Sequence, residues 1–106
     1  MASAEFHHFG VPTCVKNEKE SYLEGGKVFI TSPDDHPYRV EFLRFEDGSP
    51  LPEAIQKGPH VAFVVPNLDE ALKGKNVIIP PFEPFPNLRC AFINDGGAVI
   101  ELMQNL

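Results

Sequence analysis

The stretch PHVAFVVPNLDEALKG, residues 59–74, carries the signals that decide the fold. The segment His60–Val65 is rich in β-branched and aromatic residues, which predicts a strand. Asn67 is a favourable helix N-cap, Glu70 follows three positions later as in a capping box, and Gly74 is a typical helix stop. The stretch therefore predicts a strand followed directly by a short helix.

Three further strands are predicted downstream of this helix. The two glycines of Asn94-Asp95-Gly96-Gly97 lie between β-rich segments and indicate a hairpin turn. A proline-rich loop is expected at residues 80–86. The strands themselves are expected at Val77–Ile79, Leu88–Ile93 and Ala98–Met103.

The first half of the chain repeats this order of elements. Asn17 with Glu20 three positions later predicts a short capped helix that runs through Tyr22 and Leu23 and ends at Gly25-Gly26. Strands are expected at Phe6–Val11, Lys27–Thr31 and Tyr38–Phe45. We therefore predict one domain over residues 1–106, with a first module at about 5–47, a linker at 48–58 and a second module at about 59–105.

A histidine opens the first strand of each half, and a glutamate lies in its last strand. Because strand side chains alternate between two faces, His8 shares a face with Gly10 and His60 shares one with Ala62, which leaves room beside each ring. A carboxylate among apolar strand residues is costly to bury without a partner. Taken singly, such residues are ordinary, but their repetition favours one shared site.

Two imidazoles and two carboxylates suit a divalent ion such as Zn, Ni, Fe, Mn or Co. The sequence therefore predicts a metal site whose ligands are His8, Glu41, His60 and Glu101. His7 is the alternative to His8, because a shift of one residue in register would exchange the two.

Three further residues are candidates for binding a small-molecule substrate. Arg39 shares the face of Glu41, where it either contacts an anionic group or pairs with a neighbouring acid. Phe82 and Phe85 lie in the proline-rich segment, which either caps the site or simply connects two strands.

The composition narrows the class of partner. The formal net charge is −6 and no basic cluster occurs, so we expect no nucleic-acid partner. No apolar segment approaches the roughly 20 residues of a membrane helix, and the N-terminus lacks the features of a secretion signal, so we expect a cytoplasmic protein. Cys14 and Cys90 do not form a CxxC motif and are expected to be ordinary thiols.

These residues resemble the vicinal oxygen chelate (VOC) superfamily, the group of glyoxalases, bleomycin-resistance proteins and dioxygenases. The resemblance covers nearly the whole chain and is sharpest at residues 59–71 and 97–102. It implies an α+β fold in which two βαβββ modules form a curled mixed sheet around a cleft. It places the metal ligands on the first and last strands of each module, and it implies a homodimer.

The His/Glu/His/Glu set resembles the site of glyoxalase I (lactoylglutathione lyase). The resemblance therefore implies a metal-dependent lyase or isomerase in which Glu101 or Glu41 removes a proton next to a carbonyl group. One alternative is a non-catalytic drug- or metabolite-binding protein of the bleomycin-resistance type, which the short chain favours. The other is a dioxygenase or thiol transferase, whose sites use two histidines and one glutamate.

Overall fold

The computed structural model describes residues 3–106, which contain eight strands and two short α-helices. The first two residues of the N-terminal segment lie outside this range. The chain divides into two compact units. The first unit contains residues 8–59, and the second contains residues 60–106 together with residues 3–7. The elements are β1 (Glu5–Pro12), β2 (Ser21–Leu23), β3 (Val28–Ile30), β4 (Val40–Phe45), α1 (Glu53–Lys57), β5 (His60–Val64), α2 (Leu68–Leu72), β6 (Asn76–Phe85), β7 (Leu88–Asp95) and β8 (Ala98–Asn105).

The first unit has its strands in the order β2-β3-β4-β1. β1 and β4 are parallel, whereas β2 with β3 and β3 with β4 are antiparallel. Its buried core consists of Val28, Ile30 and Leu43, and the half-buried Leu23 and Phe45 pack against it. The core therefore lies on the face of β4 that also carries Glu41.

The helix predicted after Asn17 is wrong. Residues 21–23 instead form β2, which pairs with β3, and a 3₁₀ turn follows at Glu24–Gly26. The Asn17 amide does donate a hydrogen bond to the Glu20 carboxylate, as a capping box requires, over 3.3 Å. The same carboxylate accepts two hydrogen bonds from Arg44, and this distant contact holds the segment against β4.

The second unit has its strands in the order β5-β8-β7-β6, with β5 and β8 parallel. The predicted helix forms here as α2, and the Asn67 side chain accepts a hydrogen bond from the Glu70 amide over 3.0 Å. Leu68 of α2 is fully buried against the sheet, where a core of Val65, Leu68, Ala91, Ile93 and Leu102 forms. The predicted turn at residues 94–97 also forms, and Gly96 and Gly97 both have positive φ angles, as a tight hairpin requires.

The proline-rich loop predicted at residues 80–86 is wrong as well, because most of this segment belongs to β6. β6 ends the strand order of its unit, and proline is tolerated in an edge strand since its missing N–H removes no ladder bond. The register with β7 shifts between the pairs that flank the prolines.

The predicted α+β class with a mixed sheet is confirmed, with the exception that the first unit lacks the helix between its first two strands. The segment predicted as a linker contains α1, whose Ile55 side chain is buried in the first unit. No helix in residues 3–106 is long and apolar enough to cross a membrane.

Candidate metal centre

The second unit places His60 and Glu101 side by side on its two parallel strands. Ala62 of β5 pairs with Glu101 of β8, and His60 lies two residues before Ala62, so alternation puts both side chains on one face. The His60 Nε2 atom lies 3.2 Å from the Glu101 Oε1 atom. Both residues are buried, with 3% and 8% of their surface exposed.

The first unit builds the same pair from the same register. Gly10 of β1 pairs with Glu41 of β4, and His8 lies two residues before Gly10. The His8 Nε2 atom lies 3.5 Å from the Glu41 Oε1 atom. His8 is 2% exposed, whereas His7 lies on the other side of β1 and is half-buried. In each half, the histidine beside the glutamate is followed two positions later by a small residue, which is Gly10 after His8 and Ala62 after His60.

The separations within the two pairs fit a bound ion. Two ligand atoms that each lie about 2.1 Å from one ion, at tetrahedral or octahedral angles, are about 3.0–3.4 Å apart. The observed 3.2 Å and 3.5 Å are close to this range. The donor set of imidazole nitrogen and carboxylate oxygen suits a divalent transition metal. Among the described residues, the buried polar side chains are His60 and Glu101 of the second unit and His8 of the first, and each is of a type that ligates metal ions.

An apolar wall, defined here as Phe82, Cys90, Phe92 and Met103, adjoins the pair in the second unit. Phe92 pairs with Glu101 in the ladder of β7 and β8, and its ring meets the His60 ring edge-on at 5.1 Å. Phe82 stacks on Phe92 with 12° between the ring planes. Cys90 and Met103 are buried in the cluster against which Phe82 packs.

Sequence reasoning missed Phe92, although the signal was present. A two-residue turn at Gly96-Gly97 pairs Asp95 with Ala98, and counting back along the hairpin then pairs Phe92 with Glu101. The ring therefore had to share the face of the glutamate.

The predicted substrate-binding residues lie in three different settings. Arg39 precedes β4 with a positive φ angle, and its guanidinium donates to Asp34 over 3.0 Å. Phe82 is half-buried in the apolar wall, and Phe85, at the end of β6, is 42% exposed. A role for any of them in substrate binding stays a prediction. Cys14 is exposed and Cys90 is buried, and no disulfide joins them.

The residues of the first unit with shifted pKa values form a separate cluster, on the face of β4 opposite Glu41. The hydrogen bonds from Arg44 lower the pKa of Glu20 and raise the pKa of Arg44 itself. The hydrogen bond that the Tyr22 hydroxyl donates to Glu46 raises the pKa of Tyr22. The Arg44 guanidinium also lies over the Phe29 ring, 4.2 Å from its centre. This cluster covers sheet surface and holds no part of the candidate metal centre.

Comparison with solved structures supports the fold. A hypothetical protein from Bacillus halodurans C-125 matches with a TM-score of 0.76 at 19% identity, over 98% of this chain and 96% of the other. Methylmalonyl-CoA epimerase from Mycobacterium tuberculosis matches with a TM-score of 0.64 at 16% identity, over 100% and 93% of the two chains. No protein-family model and no curated protein sequence matches the chain. At these identities the similarity shows the fold alone, which is consistent with the VOC-type architecture that the sequence resemblance implies.

Proposed function

We propose that this protein is a small metal-dependent isomerase or lyase that moves a proton next to a carbonyl group. The observation that carries the proposal is the equivalence of the two histidine–glutamate pairs. Each pair lies on two parallel strands, in the same register and with similar separations between nitrogen and oxygen. Two unrelated structural contacts have no reason to share this register.

The proposed site joins both pairs around one divalent ion, with His8, Glu41, His60 and Glu101 as its ligands. The two modules that complete the site come either from one chain or from two chains of a homodimer. A bound ion would supply a Lewis acid that polarises two neighbouring oxygen atoms of a substrate. The buried setting of the histidines keeps competing water away from such a substrate.

The two glutamates are proposed to have different roles. Glu101 is buried 3.2 Å from His60 and is proposed to remain a ligand. Glu41 lies farther from its histidine than Glu101 does, 3.5 Å against 3.2 Å, and its side chain is slightly more exposed, 14% against 11%. We therefore assign the proton transfer to Glu41, whose carboxylate would take the proton at the carbon next to the carbonyl group and return it.

Two lines of support point to this reaction class. The resemblance to glyoxalase I (lactoylglutathione lyase) rests on the four proposed ligands, and the name of the second structural neighbour is that of an epimerase. A glyoxalase-type isomerisation is the specific version that we propose.

A second candidate function is supported by the three polar residues that are buried among the described residues, two histidines and one glutamate. Such a set with open coordination positions is typical of non-haem iron oxygenases. If Glu41 is no ligand, a dioxygenase or thiol transferase becomes the better proposal. A protein that binds no metal would instead be a drug- or metabolite-binding protein.

The first test is the metal content of the chelator-stripped protein after titration with Zn²⁺, Ni²⁺, Co²⁺ and Mn²⁺. The expected result is one ion per shared site, with binding lost in both H8A and H60A. The matched control is H36A, because His36 lies in the turn before β4 and outside both pairs. Two ions per chain, one of which survives each substitution, would refute the shared site.

The second test separates the roles of the glutamates. Hydrogen–deuterium exchange next to the carbonyl group of hemithioacetal and 2-hydroxyketone substrates is followed by nuclear magnetic resonance. Glu41→Gln is expected to retain the metal and lose exchange, whereas Glu101→Gln is expected to lose the metal. Undiminished exchange in Glu41→Gln would overturn the assignment of the base.

A further inference from the structure

We propose that the substrate of the candidate centre is a small chelating molecule with a flat apolar substituent and without phosphate or a second charged group. This inference rests on the proposed function, because it concerns what binds beside the ion. The observation that supports it is the chemistry of the apolar wall next to His60 and Glu101. The substituent would lie against the Phe82 ring.

The wall is placed beside the pair by the ladder of the second unit. Glu101 pairs with Ala62 on one side and with Phe92 on the other, so these three residues form one row across the sheet. In the next row Met103 pairs with Cys90, which in turn pairs with Phe82 of β6. A molecule that reaches the carboxylate along this face therefore meets sulfur and aromatic carbon.

Phe82 is the member of the wall that a ligand can reach. Phe92 is 6% exposed and is held between the His60 ring and the Phe82 ring. Phe82 is only half-buried and lies on the edge strand β6. A half-buried aromatic ring that stacks on a buried one is a natural surface for a flat apolar group.

The cations of the second unit lie elsewhere. Arg89 pairs with Asp69 over 3.2 Å and Lys73 pairs with Glu70 over 2.9 Å, and both acids belong to α2. α2 packs on the other face of the sheet, on the core that contains Leu68. Lys75, the remaining cation of residues 60–106, follows the turn after α2.

Phosphate and carboxylate groups of large thioesters are normally bound by arginine or lysine. The wall offers them no such partner, and the net charge of −6 further disfavours a substrate with several negative charges. A coenzyme A thioester is therefore a poor fit beside this wall, whereas a small 2-keto or 2-hydroxy acid with an aromatic group is a good one.

The experiment uses the Co²⁺-loaded full chain and three probes. Pyruvate and phenylpyruvate share one chelating head and differ by a phenyl group, and malonyl-CoA supplies phosphates. Dissociation constants are measured by calorimetry, and the visible absorption of Co²⁺ reports whether the probe reaches the ion. The variants are F82A and F82L, with V77A as the matched control, because Val77 lies on the same strand but pairs with Ile93 of the α2 core.

The expected result is that phenylpyruvate binds the wild type at least about ten-fold more tightly than pyruvate, as an apolar contact of this size allows. F82A should bring the two constants within about twofold of each other without changing that of pyruvate, F82L should lie between, and V77A should retain the wild-type ratio. Thermal melting checks that each variant is folded.

Equal binding of the two keto acids, an unchanged ratio in F82A, or tighter binding of malonyl-CoA than of phenylpyruvate would each overturn the inference while leaving the metal site intact. A chain that takes up no Co²⁺ would instead overturn the proposed function, and this inference with it. Titration with Co²⁺ alone, before any probe is added, distinguishes the two failures.

Discussion

Replacing Glu101 with glutamine tests the candidate centre through protein stability. The substitution retains the shape of the side chain and removes its charge. In the structure this carboxylate is 8% exposed and lies 3.2 Å from the His60 ring nitrogen. If Glu101 is a ligand, metal binding stabilises the folded wild type and does not stabilise the variant, because an unfolded chain holds no preformed site.

The expected magnitude follows from binding linkage. A free metal concentration about 100 times the dissociation constant raises the free energy of unfolding by about 2.7 kcal/mol. In a domain of this size each kcal/mol shifts the melting temperature by about 4–8 °C, so the wild type should gain about 10–20 °C. Without metal, the variant should lose little stability or gain some, because a buried ionised carboxylate is costly to desolvate.

The assay is thermal unfolding followed by circular dichroism, with Zn²⁺ and with a chelator. Glu83→Gln is the control, because Glu83 is an exposed residue on β6. The reasoning fails if Glu101→Gln retains the full rise in melting temperature on adding metal, or if Glu83→Gln loses it.

Three further predictions concern the framework around the site. Leu68→Ala should lower the free energy of unfolding by about 2–5 kcal/mol in urea titrations, because the side chain is fully buried beneath α2. A loss below about 1 kcal/mol would contradict this packing. Asn67→Ala should cost about 0.5–2 kcal/mol in the same assay because it removes the cap of α2, whereas Asn17→Ala, which caps no helix, should cost less. Arg44 lowers the pKa of Glu20 below its ordinary value of 4.5, so the stability that this pair contributes is present above that value and is lost as the pH falls through the folded-state pKa. The difference in unfolding free energy between wild type and Glu20→Gln should therefore be largest near neutral pH and vanish in strong acid, and a difference that does not change with pH would contradict the assignment.

Strand alternation made both histidine–glutamate pairs predictable from sequence. It needs only the local period of two, and the repeat supplied a check, because the same spacing of a small residue after the histidine occurs in both halves. In the structure Gly10 and Ala62 occupy equivalent positions opposite the glutamates. Alternation alone does not give the register of the neighbouring strand; the two-residue turn at Gly96-Gly97 gives it, and with it the position of Phe92.

The two capping signals show why helix prediction failed in one half. Asn17 with Glu20 and Asn67 with Glu70 have the same spacing, but only the second pair precedes residues that bury a helical stripe, namely Leu68, Ala71 and Leu72. The first is followed by Tyr22 and Leu23, which fit a strand. A cap contributes about 1 kcal/mol, so it cannot impose a helix that has no apolar face to bury.

The proline-rich segment failed for a different reason. Proline excludes a residue from a central strand but not from an edge, and sequence alone does not say which strand ends the order. In the structure β6 is that strand, so its prolines also protect the edge from pairing with another chain.

The two units share the register of their parallel strands and differ in what covers the opposite face. In the second unit that cover is α2, whereas in the first it is a set of polar and aromatic contacts in which Arg44 bridges Glu20 and the Phe29 ring. Covers of such different chemistry contribute to stability in different ways, one through apolar burial and the other through charge. A register common to both is therefore not explained by the packing on that face. The common register is explained if both halves have to place the side chains of the histidine face in the same way.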